Sequence, residues 1–126
     1  MTKLHEILNK FLVELRNCRN GADDWLAKDG GRRNELASQA ARNNFAYGEK
    51  ISNNPVSVIK QLQKMVEHCR HWEGKFAEWG GHDNDYARHC HAQGANYASD
   101  ALQKVRHCAN EINGVRGKLR LILSST

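Results

Sequence analysis

An apolar residue recurs at alternating steps of four and three through most of the second half of this chain, and that rhythm constrains its fold more than any other feature. Val58, Leu62, Met65, Cys69, Trp72, Phe76 and Trp79 form one series. Ala98, Ala101, Val105, Cys108, Ile112, Val115, Leu119 and Ile122 form a second. Steps of three and four keep residues on one face of an α-helix, so each series reads as one helix with one apolar stripe. The polar, glycine-bearing segment Gly80-Gly81-His82-Asp83-Asn84 separates them. The pattern predicts two long helices folded back on each other as a coiled-coil-like hairpin.

The first half supplies two more helices. Leu4, Leu8, Phe11, Leu15 and Cys18 make a stripe, widened by Ile7 and Leu12, with Thr2 as N-cap. Asn20-Gly21 ends this helix in the reading, because glycine tolerates the left-handed conformation that closes a helix. A short turn over Asp23–Lys28 follows, and Asp29-Gly30-Gly31 breaks the chain. The next helix has a thin apolar face of Leu36, Ala37, Ala40, Ala41, Phe45 and Ile51. Alanine buries little area, so this helix is expected to add least to the core and to face solvent or a partner. Asn54-Pro55 opens the third helix, since proline suits the first helical position.

The predicted architecture is all-α: one domain, an antiparallel bundle of four helices over about residues 2–19, 32–51, 55–79 and 84–123. The last helix is predicted to span roughly 60 Å at 1.5 Å per residue. Its glycines, Gly94, Gly114 and Gly117, mark places where it is expected to bend or break. Otherwise its far end, Ile112 to Leu123, is expected to pack on the first helix or on a second copy of the chain.

A chain of 126 residues, 40% hydrophobic and 26% charged, is long enough to bury a true core and unlike a disordered one. Its apolar runs fall far short of a membrane span. Glu6, Lys10 and Glu14 interrupt the early apolar residues, which excludes a signal-peptide pattern. The expected location is the cytoplasm. There, Cys18, Cys69, Cys90 and Cys108 are expected to be thiols rather than disulfides.

Chemistry-bearing residues gather near the hairpin end. Cys69 and Cys90 fall within about one turn of each other when the hairpin is folded about Gly81. With His71 and His91 they form a candidate metal set, since zinc takes four Cys or His ligands. The spacing matches no established zinc pattern, and adjacent residues on a helix point about 100° apart, so a polar helix end is the plainer reading. No metal or other cofactor is therefore assigned. Catalysis is not expected either. A nucleophilic cysteine needs a histidine within hydrogen-bond reach, and Cys69–His68 and Cys108–His107 face different ways on a helix. Trp72, Phe76 and Trp79 read as an aromatic plug of the bundle end, covered by Tyr86 and Trp25.

The net charge of +5 is spread thinly, apart from the last helix. From Lys104 onward five Lys or Arg stand against Glu111 alone. Arg32, Arg33, Arg42, Arg116, Lys118 and Arg120 are the candidate partner-binding residues. The expected function is that of a non-enzymatic helical interaction module, an adaptor, regulator or inhibitor of a larger assembly, with a homodimer as one form. The alternatives are a nucleic-acid-binding accessory protein with a basic helical surface, and a metal-binding Cys/His hairpin.

Overall fold

The computed structural model describes the backbone of residues 3–124 and side chains as far as Ala109. Within that range the chain is a bundle of four helices: α1 (Lys3–Lys28), α2 (Arg32–Glu49), α3 (Val58–Trp79) and α4 (Asp85–Ser124). One 3-10 turn, His82–Asn84, leads into α4. α3 and α4 fold back on each other as an antiparallel hairpin. Gly80 and Gly81 make its turn with φ of 63° and 83°, a region that side chains with a Cβ rarely enter. Asn84 donates its amide to the Gly80 carbonyl at 2.7 Å and closes the end of α3.

The core is the meeting of three stripes. Val58, Leu62, Met65 and Cys69 of α3 are fully buried. Phe11 and Leu15 of α1 and Ala95, Ala98, Leu102 and Val105 of α4 pack with them. Burying a side chain such as Leu62 stabilises the fold by about 2 kcal/mol. Unlike one strand of a two-helix zipper, α4 packs against α1 and α2 as well as α3. Its alanines allow this, because Ala87, Ala95, Ala98 and Ala101 let neighbouring helices approach from more than one side.

Five expectations require correction. The first helix does not stop at Asn20-Gly21; α1 runs through to Lys28. A glycine inside a helix costs about 1 kcal/mol, and tertiary contacts offset it here. Asp23 accepts from Ser38 Oγ at 2.5 Å and from Arg42 at 3.0 and 3.1 Å, which ties the last turns of α1 to α2.

The second helix is not a solvent-facing element. Its Ala37, Ser38, Ala40, Ala41, Asn44, Phe45 and Gly48 are all buried, and it ends at Glu49. Small residues serve close approach: a Cβ on Gly48 would meet Leu15 Cδ1 at 2.5 Å.

The third helix starts at Val58, three residues later than Pro55 suggested. Asn54 Oδ1 instead accepts from the Val56 amide at 2.8 Å, forming a turn before the helix. The fourth helix passes through Gly94, Gly114 and Gly117 without a break.

Finally, Trp25 and Tyr86 do not cover the aromatic plug. Trp79 itself is 58% exposed, and the ring packed onto Trp72 and Phe76 is that of His91. The packing expected for Ile112 to Leu123, and the Thr2 cap, lie outside the described residues. No helix is long and apolar enough to cross a membrane among the described residues.

Candidate functional site

The residues proposed from sequence as a metal set separate in space. Cys69 lies in the core, where its thiol donates to Asn44 Oδ1 at 3.6 Å. The Asn44 amide in turn donates to the Cys90 carbonyl at 3.2 Å, so one buried side chain of α2 links α3 to α4. The Cys90 side chain opens instead into a cleft on the α1 side, which it shares with Cys18. His71 is exposed and lies edge-on to Trp72 at 5.4 Å. His91 is buried, its ring stacked on Phe76 at 5.6 Å and on Trp72 at 6.4 Å. Among the described residues no three His, Cys, Asp or Glu side chains gather where they could hold an ion.

Protonation states follow from burial. Loss of water pushes the Cys69 thiol up to about 12. Burial, with the neighbouring Cys18, pushes Cys90 up to about 11. Burial, then His68, pushes His91 down to about 4. Both cysteines are therefore held as thiols at neutral pH, and His91 as neutral imidazole. Thiolates are what a metal or a nucleophilic reaction requires.

The basic candidates from sequence also have definite positions. Arg42 grips Asp23 through two nitrogens, and those bonds, with one from Ser38, hold the Asp23 carboxyl below the usual carboxylate range. Arg33 lies over the Tyr86 ring at 3.4 Å and reaches Asp85 at 3.6 Å. Arg32 pairs with Glu35 at 3.6 Å on the surface. The side chains of Arg116, Lys118 and Arg120 lie outside the described residues.

The feature that stands out is the cleft itself, about 540 Å³ between α1, α2 and α4. Ala22, Cys18, Ala37 and Cys90 supply apolar wall, and Asn17, Gln93 and Tyr97 supply polar groups. Cys18 donates to Gln93 Oε1 at 3.7 Å across the α1–α4 boundary. Trp25 and Tyr86 stand at its edge, 64% and 44% exposed. They belong to the last turn of α1 and the first turn of α4, which the antiparallel arrangement places at the same end. Trp25 is there only because α1 continues past Gly21, so a reading that ended the helix at Asn20 could not place it. The sequence did hold a signal for the junction beneath. Ala37, Ala41, Asn44 and Gly48 step by four, three and four, a stripe of small and polar residues that all prove buried.

Comparison with family models, with curated proteins and with solved structures found no match. The functional argument therefore rests on the geometry of the chain.

Proposed function

We propose that this protein is a non-enzymatic helical interaction module that takes an apolar side chain of a protein partner into the α1–α2–α4 cleft, between Trp25 and Tyr86. The observation that carries this reading is Trp25. A large aromatic ring left 64% exposed at the mouth of an apolar-walled cleft is the arrangement of an interface anchor, and Trp and Tyr are over-represented among residues that dominate binding energy. The thiols in the cleft support binding over chemistry, because burial keeps them protonated. A cytoplasmic location agrees with the four free thiols.

A nucleic-acid function draws less support. Phosphate contacts need cations with charge to spare. Arg42 and Arg33 are already paired with Asp23 and Asp85 at the surface of the bundle.

The test is selection of a displayed random-peptide library on the full-length chain, with counter-screening on Trp25→Ala and Tyr86→Ala. Peptides should be enriched that carry a large apolar residue and lose at least about tenfold in affinity on either variant. Circular dichroism should show both variants folded. Enrichment of peptides indifferent to both substitutions would refute the reading.

A further inference from the structure

A second groove continues along the antiparallel contact of α1 with α4, toward the start of α1, and meets the first at Glu14 and Tyr97. It measures about 540 Å³, with Ile7, Phe11 and Ala101 in its floor. Four charged residues of α1 line it: Lys3, Glu6, Lys10 and Glu14. From the N-terminal end their signs run plus, minus, plus, minus. Read backwards the order is inverted. A helix with that property is complementary to itself when a copy is laid across it antiparallel, because every cation then meets a carboxylate.

The spacing agrees with the signs. Lys3 would face Glu14 of the copy, and Glu6 would face Lys10. The midpoints of these two pairs fall at positions 8.5 and 8 of the chain, less than about 1 Å apart along a helix rising 1.5 Å per residue. All four cross-pairs therefore share one axis, at the level of Leu8 and Asn9. This is the requirement for an isologous two-fold contact, in which one patch serves both subunits.

The rest of the face is compatible with that contact. On the α4 rim Asp100 and Lys104 pair with each other at 2.9 Å, so they add no net charge against a copy. Val13, one turn beyond Lys10 on the same flank of α1, is 46% exposed and offers apolar area to bury. The same signs stand at i,i+3 and i,i+4 along α1 itself, and a second copy is the partner that meets all four at once because the pattern is antisymmetric about its own centre.

We infer that the α1–α4 face is the two-fold interface of a homodimer, with α1 crossing α1 of a second copy antiparallel and Glu6 paired with the partner's Lys10. This face adjoins the Trp25 cleft at Glu14 and Tyr97, but Glu6 and Lys10 lie outside the cleft, so their pairing does not depend on what binds beside Trp25.

Charge exchange tests it, and its mixed-variant arm takes a form that a folding defect cannot imitate, because Glu6 and Lys10 also stand at i,i+4 within α1. Native mass spectrometry and sedimentation of the full chain should show a dimer that weakens as salt rises. Glu6→Lys alone, or Lys10→Glu alone, sets like charges against each other at two of the four pairs, and each should weaken the dimer at least about tenfold. Glu6→Lys and Lys10→Glu combined in one chain should restore it. An equimolar mixture of the two single variants should form the heterodimer in preference to either homodimer. A monomeric wild-type chain overturns the inference. So does a dimer indifferent to both single exchanges, or a mixture of the single variants that forms no preferred heterodimer.

Discussion

Asn44 of α2 sits against Gly94 of α4 so closely that a Cβ on the glycine would lie 2.8 Å from the Asn44 amide nitrogen. The same Cβ would lie 3.1 Å from Cys69 Sγ of α3. Three helices thus meet at one point. Asn44, 2% exposed, satisfies both the Cys69 thiol and the Cys90 carbonyl there. A buried amide is tolerated only when its bonds are made, and the missing side chain at Gly94 is what gives Asn44 room to make them.

Glycine-to-alanine changes should therefore have opposite signs at different places. In an open helical position alanine gains about 1 kcal/mol over glycine. Gly74, where an added Cβ meets nothing within 4 Å, should show that gain. Gly94→Ala should instead destabilise by about 1–3 kcal/mol, since Asn44 and Cys69 must both move. Urea unfolding of the two variants checks the difference in sign.

His91 makes stability depend on pH in a defined window. In the folded chain burial holds its pKa at about 4, against an ordinary value of 6.5. Between these values the unfolded chain binds the proton and the folded chain does not. Stability therefore falls as pH drops from about 6.5 to about 4, by roughly 3 kcal/mol in all at about 1.36 kcal/mol per unit. His68, also lowered by burial, adds to the same slope. His91→Phe keeps a ring against Phe76 and removes the proton site, so its unfolding free energy should be flatter over this range. An unchanged slope would place the effect on other groups.

Asp23 should control the end of α1. Its bonds to Ser38 and Arg42 link the turns beyond Gly21 to α2. Asp23→Ala should lower amide exchange protection over Ala22–Lys28 by the equivalent of about 1 kcal/mol. Protection of the Phe11–Leu15 turns should be unchanged.

These cases also mark what was legible in the sequence. The α3 stripe from Val58 to Cys69 was read correctly because heptad spacing reports directly on which face is buried. The continuation at Gly21 was not legible, because it depends on Ser38 and Arg42, residues distant in sequence. The burial of α2 was missed for a related reason. An area argument treats Ala37 and Ala41 as weak, whereas close packing makes small residues the means of contact with α1 and α4. Cys69 and Cys90 were placed within about one turn of each other, and the Cys69 thiol does lie against Gly94, one turn from Cys90, but it faces Asn44 in the core whereas Cys90 lines the cleft beside α1. Adjacent basic residues such as Arg32 and Arg33 look alike in sequence, yet only Arg33 reaches the Tyr86 ring.

The central claim is that the Trp25–Tyr86 cleft is a binding surface, and the most direct measurement is a nitrogen–proton NMR titration of the full chain with a library-selected peptide. The account predicts shifts concentrated on Cys18, Trp25, Ala37, Tyr86 and Gln93, with saturation at a one-to-one ratio. Shifts confined to the exposed Trp79 end of α3, or to the α2–α3 loop, would contradict it.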